Sequence, residues 1–148
     1  MGCLFCDIIN GKIEGKNKIY EDKEFIAILD AYPNVNGQVL ILTKKHYSSY
    51  VFNMNDKLYC RFLKFSKKVA KILDKKLKVK RTAMVMEGLG IDHAHIKLYP
   101  LHGLKKEFEE KWPKNGKLFK KYMGYVTTRP GPKISKKKIK DLLKKLKT

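Results

Sequence analysis

The stretch Ile91–Pro100, IDHAHIKLYP, alternates polar and apolar residues and decides how the rest of the chain is interpreted. On a β-strand, side chains two positions apart share a face and lie about 6.6–6.8 Å from one another. The stretch therefore predicts a strand with His93, His95 and Lys97 in a row on one face and with apolar residues on the opposite, core-facing side. A polar row on one strand also fits simple solvent-facing alternation, so its meaning depends on the other segments.

Further strand and helix patterns surround this strand. Residues 18–30 (KIYEDKEFIAILD) and 37–43 (GQVLILT) have the β-branched and aromatic content of strands, and the loop AYPNVNG joins them as a hairpin. After Asn55, a candidate N-cap, apolar residues recur every three or four positions as far as Leu77, which predicts a long helix. Residues 82–88 supply one more strand before the histidine-bearing one. The order strands, helix, strands predicts an α+β fold in which the helix covers a sheet, rather than a βαβ repeat.

The C-terminal part of the chain is rich in lysine. The segment SKKKIKDLLKKLK, residues 135–147, predicts a basic amphipathic helix capped by Ser135, and the connector TTRPGPK precedes it. A chain of 148 residues fits a single domain. We therefore expect residues 1–126 to form one domain, and residues 127–148 to be a connector and an amphipathic helix docked on that domain.

The chain carries a formal net charge of +20, which attracts phosphate-rich partners. Of its 34 basic residues, however, only three are arginines, and the lysines are spread through every segment. Base reading and bidentate phosphate recognition favour arginine. The charge therefore favours a solvated, lysine-rich surface over a dedicated nucleic-acid site, and a nucleic-acid partner stays open without being preferred.

The sequence contains no apolar run of about 18 residues and no basic-then-apolar leader. We therefore expect no membrane span, no secretory signal and no membrane partner. A cytoplasmic location is the corresponding expectation. In such reducing surroundings, cysteines serve metal or redox chemistry more often than structural disulfides.

Cys3 and Cys6 have the C-x-x-C spacing that suits two thiolates on one metal ion. Tetrahedral zinc accepts imidazole nitrogen, and His46 and His93 are the sequence-distant candidates for the two remaining ligands. A closed site of two cysteines and two histidines would be structural and would pin the N-terminus to the sheet. The alternative is a reduced pair of cysteines at a frayed N-terminus.

Three motifs in order resemble the histidine-triad (HIT) superfamily: CLFCDIINGKI at 3–13, LDAYPNVNGQVLILTKKH at 29–46 and HAHIKLYP at 93–100. The resemblance covers roughly residues 3–102. It implies an antiparallel sheet of about five strands with a long helix, usually in a homodimer. It also implies binding of a purine nucleotide or nucleotide conjugate and attack on its α-phosphate by the middle histidine of the row, here His95.

The same resemblance assigns further residues. In zinc-bearing members the metal ligands correspond to the four residues proposed above, and Asp30 would hold the ribose hydroxyls. A neutral imidazole at His95 would attack phosphorus and form a nucleotidyl-histidine, from which water or another acceptor takes the nucleotidyl group. Lys97 beside it would disfavour the imidazolium form and neutralise charge that develops on the phosphate.

Three positions depart from the family pattern. Lys97 replaces the usual third histidine, and Gln38 stands where a histidine commonly follows the glycine, so both phosphate-contacting positions have changed. Gly90 stands where small hydrolases of the family often carry a serine that protonates the leaving group. By position in the family motifs, Asp30, Gln38 and Gly90 are nevertheless the candidate nucleotide-binding residues. In the galactose-1-phosphate uridylyltransferase branch a glutamine replaces the third histidine, so transfer to an acceptor other than water is compatible with such a change.

Three functions follow as hypotheses. The first is a hydrolase that cleaves nucleoside phosphoramidates or dinucleoside polyphosphates at the α-phosphate through His95. The second is a nucleotidyltransferase that uses the same histidine, which Gly90 and Lys97 support. The third is a catalytically impaired protein that binds a nucleotide or nucleic acid and retains the fold and the zinc. The hydrolase is preferred.

Overall fold

The computed structural model describes residues 2–14, 17–106, 114, 116–127 and 132–146. The chain divides into two compact units, Met1–Glu107 and Phe108–Thr148. The first unit contains, in chain order, α1 (Leu4–Ile9), β1 (Lys18–Glu21), β2 (Phe25–Leu29), β3 (Val39–Thr43), a 3₁₀ turn (Val51–Asn53), α2 (Asp56–Leu77), β4 (Thr82–Val85) and β5 (His95–Pro100). Among the described residues of the second unit there is one helix, α3 (Lys136–Leu146).

The five strands form one antiparallel sheet in the order β1-β2-β3-β5-β4. All five residues of the central strand, β3, are buried. The strand β5 pairs with β3 on one side and with β4 on the other, so the histidine-bearing strand lies inside the sheet. The predicted α+β fold, with an antiparallel sheet of about five strands, a long helix and a C-terminal basic helix, is confirmed.

Residues 18–30 form two strands, β1 and β2, so the prediction of one strand there is wrong. The carboxylate of Asp22 accepts hydrogen bonds from the backbone N–H groups of Glu24 and Phe25, both at 2.8 Å. An aspartate that captures the amides following it offers the backbone a turn, and the chain reverses here. This hairpin provides the fifth strand of the sheet, and the described residues of 116–126 contain no strand.

The helix α2 covers one face of the sheet. Asn55 caps it, because its side-chain oxygen accepts the backbone N–H of Lys57 at 3.0 Å. The buried side chains follow the predicted helical spacing; they are Leu58, Phe62, Phe65, Val69 and Leu73. They pack in one cluster with Ile96 and Leu98 of β5 and with Ala94, the residue that precedes this strand. The polar row of β5 therefore faces away from α2.

The opposite face of the sheet is partly covered by α1. Phe5 of this helix packs against a second apolar cluster formed by Ile26, Ile28, Leu40 and Leu42. His95 is paired with Leu42 and Lys97 with Leu40 across the β3–β5 register. Because paired residues on neighbouring strands project to the same face, the polar row shares its face with α1.

In the second unit, the hydroxyl of Ser135 accepts the backbone N–H of Lys138 at 3.3 Å, so the predicted cap of α3 is present. The domain boundary at residue 126 and the docking of this helix on the first domain stay predictions. The predicted connector at 127–133 lies largely outside the described residues. No helix in the described part of the chain is long and apolar enough to span a membrane.

Candidate functional site

The polar row of β5 opens into a cavity of about 570 Å³ in the first unit. The cavity is bounded by α1, by the loop between β2 and β3 and by the segment before β5. All five residues predicted for catalysis and nucleotide binding line it: Asp30, Gln38, Gly90, His95 and Lys97. Positions far apart in the sequence therefore meet around one space, although their individual roles stay predictions.

His95 is 3% exposed, and its ring nitrogen Nδ1 lies 2.7 Å from the backbone carbonyl oxygen of His93. A carbonyl oxygen only accepts, so Nδ1 carries the proton and donates it, which leaves Nε2 with a free lone pair in the neutral ring. Burial lowers the pKa of His95, and the positive charge of Lys97 lowers it further, against the opposing effect of the carbonyl contact. The geometry thus presents a neutral imidazole whose Nε2 lone pair is free, and a nucleophilic role for it stays a prediction.

Lys97, the third member of the row, forms an ion pair with Glu87, which follows β4 in the chain. Their side chains are 24% and 16% exposed, so water screens the pair only in part. Burial by itself would lower the pKa of Lys97, but the hydrogen bond and the negative charge of Glu87 outweigh it and raise that pKa. Lys97 is therefore a fixed cation beside His95.

Glu87 was not among the residues predicted from the sequence. It lies ten positions from Lys97, and only the register of the β4–β5 pair, in which Val85 is opposite Lys97, brings the two side chains together. One signal was available: Glu87 is the only acidic residue between positions 82 and 91 of a chain with a net charge of +20. An isolated acid near a strand end was a candidate partner for the lysine of the row.

Asp30 and Gln38, the first and last residues of the loop that joins β2 and β3, form a hydrogen-bonded pair. One carboxylate oxygen of Asp30 accepts the backbone N–H of Tyr32 at 2.9 Å, and the other accepts the side-chain amide of Gln38. The amide oxygen of Gln38, a residue only 4% exposed, accepts the backbone N–H of Asn34 at 3.0 Å. Both ends of the Gln38 amide are thus engaged within the loop, and nucleotide binding by Gln38 stays a prediction.

Gly90 contributes open space to the cavity wall. Its φ of +88° lies in the region that glycine adopts freely, and a Cβ atom built there would meet no atom within 4 Å. At the neighbouring Gly88, with φ of +69°, a Cβ atom would lie 2.6 Å from the backbone oxygen of Ser49. Close backbone packing therefore fixes the loop at Gly88, and no side chain projects from position 90.

Four side chains that could hold a metal ion lie beside the cavity. The ligand atoms of Cys3, Cys6, His46 and His93 are all within 4.8 Å of one another. Nδ1 of His93 lies 3.3 Å from Sγ of Cys3 and 3.5 Å from Sγ of Cys6, and Nδ1 of His46 lies 3.5 Å from Sγ of Cys6. Two thiolates and two imidazoles are a donor set that tetrahedral zinc accepts.

The tautomer of His93 suits metal binding. The ring is completely buried, and its Nε2 lies 2.7 Å from the backbone oxygen of Thr43. Nε2 therefore donates its proton to this carbonyl, and Nδ1 presents its lone pair to the two cysteines. Such a backbone contact fixes the orientation of a ligand ring, so the four predicted ligands fit zinc both in type and in arrangement.

Phe5 connects this group to the cavity. It lies between Cys3 and Cys6 in the sequence, and its ring packs edge-on against His93 and His95, with centroid distances of 5.7 and 5.5 Å. The same ring lines the cavity. The segment that carries both cysteines is therefore also a wall of the space into which His95 opens.

Comparison with known proteins places this geometry in a family. A family model for the HIT domain matches residues 12–103. An uncharacterized HIT-like protein of Methanocaldococcus jannaschii is 37% identical over 103 residues, which are 66% of this chain and 78% of that protein. An adenosine 5′-monophosphoramidase of Saccharomyces cerevisiae is 31% identical over 134 residues, which are 82% of this chain and 80% of that protein.

A solved structure agrees with these matches. A hypothetical histidine triad nucleotide-binding protein from Sulfolobus tokodaii superposes with a TM-score of 0.62 at 26% identity, over 96% of this chain and 87% of that one. The family match covers well over half of the chain and includes the strand that carries the row of His93, His95 and Lys97. The chain therefore belongs to the HIT domain family.

Proposed function

We propose that this protein is a nucleotide hydrolase that acts at the α-phosphate of nucleoside phosphoramidates or dinucleoside polyphosphates through a nucleotidyl-histidine at His95. The observation that carries the proposal is the contact of His95 Nδ1 with the carbonyl oxygen of His93, which leaves Nε2 as the nucleophile in a buried, cavity-lining ring. The yeast relative, an adenosine 5′-monophosphoramidase by name, supports a reaction at the phosphorus of a nucleotide.

In the first step, the lone pair of His95 Nε2 forms a bond to the α-phosphorus, and the bond from phosphorus to the leaving group breaks with its electron pair on the leaving group. The proton on Nδ1 stays in its hydrogen bond to the carbonyl of His93, so positive charge on the ring is stabilised as the bond forms. The ammonium group of Lys97 lies beside this ring and offers donors to the phosphate oxygens.

In the second step, the oxygen of a water molecule bonds to phosphorus and the bond between phosphorus and Nε2 breaks. The water loses a proton, the nucleoside monophosphate leaves, and His95 returns to its neutral form. The burial that lowers the pKa of His95 favours this return, because it disfavours the imidazolium form.

Asp30 is proposed to bind the ribose. Each of its carboxylate oxygens accepts one hydrogen bond from the protein, which leaves lone pairs for the two ribose hydroxyls. The apolar wall made by Leu4, Phe5 and Ile8 suits a flat base. We infer a purine nucleotide or nucleotide conjugate as ligand, and we keep a homodimer and a cytoplasmic location as parts of the proposal.

Zinc at Cys3, Cys6, His46 and His93 would be structural. Four protein ligands complete a tetrahedral coordination, so a bound ion would have no open position for water or substrate. The role of these residues is to hold α1 against the start of β5, and thereby to hold Phe5 against the ring of His95.

A nucleotidyltransferase that uses the same histidine is the second candidate. The open space at Gly90 favours it, because an acceptor other than water needs room beside the covalent intermediate. A catalytically impaired protein that binds a nucleotide or nucleic acid is the third, and it predicts binding that does not depend on the His95 ring.

The experiment is chromatography of nucleotides released from adenosine and guanosine phosphoramidates and dinucleoside polyphosphates. The wild-type protein is compared with His95→Ala and with the control His102→Ala, a histidine that is exposed and does not line the cavity. Release of nucleoside monophosphate by the wild type and by His102→Ala, but not by His95→Ala, supports the hydrolase.

Two other outcomes decide between the alternatives. A nucleotidyl adduct in the intact mass without release of monophosphate supports the transferase, whose acceptor is then missing from the mixture. An unmodified chain with no release, for every substrate in the panel, contradicts both enzymatic proposals and favours the binding protein.

A further inference from the structure

The ionisable groups around the cavity restrict which leaving groups the site can assist. A phosphate chain departs from phosphorus as a stable anion, whereas an amine must take up a proton as its bond to phosphorus breaks. General acids act best when their pKa is near the working pH, and a well-placed one contributes about 10²–10⁴-fold to the rate. The nature of the leaving group therefore depends on the acids and cations that the cavity presents.

The cavity presents few groups that could donate a proton near neutral pH. Among the described residues that line it, His95 is the only histidine, and none is a serine, threonine or cysteine. His95 itself is proposed as the nucleophile, and Gly90 has no side chain. Asp30 accepts hydrogen bonds at both oxygens, and the two other candidates, Glu14 and Tyr32, are exposed to solvent.

Two other groups that line the cavity could donate a proton, the phenol of Tyr99 and the ammonium group of Lys97, and both hold that proton strongly. Burial raises the pKa of the Tyr99 phenol, although Lys97 opposes part of this effect. The contact with Glu87 overcomes burial and raises the pKa of Lys97. Both groups therefore stay protonated around neutrality, and neither is matched to a proton transfer there.

Lys97 is instead placed as a fixed cation. Lys97 lines the cavity, whereas Glu87 does not, and the Glu87 carboxylate holds the ammonium group of Lys97. An ammonium group has three N–H donors, and the contact with Glu87 leaves others for oxygens of a bound phosphate. A partly buried, oriented cation stabilises negative charge as it develops and needs little reorganisation.

We propose that the Lys97–Glu87 pair selects substrates whose leaving group departs as an anion, such as the phosphate chain of a dinucleoside polyphosphate, over nucleoside phosphoramidates. This inference rests on the proposed function and narrows its substrate class. When the bond between the α-phosphorus and the bridging oxygen breaks, its electron pair stays on that oxygen, and Lys97 stabilises the anion while keeping its proton. With a phosphoramidate the electron pair stays on nitrogen, and the required proton has to come from solvent.

Glu87 is in this account a positioning residue, which acts through Lys97. Replacing it with glutamine keeps the size of the side chain but removes the charge that holds the ammonium group. The rate for anionic leaving groups then falls, whereas the rate for phosphoramidates, which does not use that cation on the leaving group, changes less. Loss of structure alone would lower both rates together.

The test measures kcat/KM for substrates that share one nucleotidyl group, because this constant includes the step that breaks the bond to the leaving group. Diadenosine tetraphosphate is compared with adenosine 5′-phosphoramidate, and a series of aryl esters of AMP varies the leaving-group pKa alone. We expect kcat/KM for the tetraphosphate to exceed kcat/KM for the phosphoramidate by about 100-fold, because a missing general acid costs the phosphoramidate a factor of about that size. We also expect a steep fall in rate along the ester series as the leaving-group pKa rises.

Three variants complete the test. Glu87→Gln is expected to lower the ratio of kcat/KM for the tetraphosphate to kcat/KM for the phosphoramidate, and Lys97→Gln is expected to lower this ratio further. Lys97→His introduces a group that titrates near neutrality and is expected to raise the rate for the phosphoramidate relative to the tetraphosphate by about tenfold or more. Urea unfolding of each variant identifies any variant that is not folded. The measurements on the wild-type protein test the inference even if a variant fails to fold.

Two wild-type results would overturn the inference while leaving the proposed function intact. One is cleavage of the phosphoramidate at a rate equal to or above that of the tetraphosphate, and the other is an ester series with no dependence on leaving-group pKa. Either result would mean that the site supplies a proton. If none of the substrates is cleaved, the proposed function itself fails, and the inference fails with it.

Discussion

Gln38 gives the sharpest test of how the structure differs from the expectation drawn from sequence. If it acts through the contact seen in the structure, its amide holds Asp30, the proposed ribose ligand, in place. If it acts as the family pattern suggests, it contacts the phosphate. The variant Gln38→Ala separates the two, because the first role affects any ligand with a ribose and the second affects only ligands with a phosphate.

The magnitude follows from the two contacts of the Gln38 amide. A hydrogen bond to a charged group contributes about 1.5–3 kcal/mol to stability, and one between neutral groups contributes about 0.5–1.5 kcal/mol. Gln38 donates to the Asp30 carboxylate and accepts from the backbone of Asn34, so Gln38→Ala should lower the free energy of unfolding by about 2–4 kcal/mol.

The effect on binding should be smaller. The backbone N–H of Tyr32 still holds the other oxygen of Asp30 in the variant, so the carboxylate is loosened and not lost. We expect a fall in affinity of about tenfold, close to 1.4 kcal/mol, for adenosine and for AMP alike. Gln38→Glu keeps the length of the side chain but places a second carboxylate against Asp30, and it should weaken binding of both ligands further.

The assay is isothermal titration calorimetry with adenosine, AMP and 2′,3′-dideoxyadenosine. Dideoxyadenosine lacks both ribose hydroxyls and should bind the wild type and Gln38→Ala with equal affinity. A loss of affinity for AMP but not for adenosine in Gln38→Ala would contradict the role in holding Asp30, since Gln38 would then act on the phosphate.

Three further predictions follow from other parts of the first unit. Protein purified under reducing conditions should contain about one zinc per chain by elemental analysis, and Cys6→Ser should lower that content; a zinc-free wild type with reduced thiols would contradict the ligand assignment. Gly90→Ala should lower the free energy of unfolding in urea by about 1–2 kcal/mol, because the backbone there is left-handed. Gly88→Ala should lower it by clearly more, because its Cβ atom would also lie 2.6 Å from a backbone oxygen; equal losses would be inconsistent with that contact. The pKa of Glu21 is lowered to about 2, chiefly by the hydrogen bond from Lys18, so Glu21→Gln should be less stable than the wild type at pH 7. This difference in stability should shrink as the pH falls from about 4.5 towards 2, and a difference that does not change with pH would refute the prediction.

The fold was predictable from sequence to the extent that periodicity determines it. The alternation in residues 91–100 predicts a strand with its polar row on one face, and in the structure Ala94, Ile96 and Leu98 are buried on the other. The helical spacing that starts after Asn55 likewise predicts α2 and its buried face. In both segments the same residues satisfy the local pattern and the core.

The hairpin within residues 18–30 was not found, because the strand content of the flanking residues outweighed a short turn signal. Asp22 followed by two polar residues was that signal, and its carboxylate captures two backbone amides in the structure. The pattern of hydrophobic residues does not show such a capture, which depends on where one side chain points.

The candidate site divides in the same way. The residue types that suit zinc and a nucleophilic imidazole could be selected from sequence, and the fold brings the selected residues together. The partner of Lys97 could not be predicted from sequence, since it depends on the register of β4 against β5. The hydrogen bonds of Gln38 could not be predicted either, since they depend on the conformation of a loop. Both concern pairs of polar side chains, for which sequence distance carries no information.

The proposed mechanism requires a covalent bond between His95 and the nucleotide, and mass spectrometry of the reacting protein detects such a bond. The protein is mixed with excess diadenosine tetraphosphate or adenosine 5′-phosphoramidate and quenched in alkali, where a bond between phosphorus and histidine nitrogen is stable. We expect one adenylyl group per chain, mapped to the peptide that contains His95 and absent from His95→Ala. AMP release that persists in His95→Ala, or an adduct mapped to another residue, would contradict it.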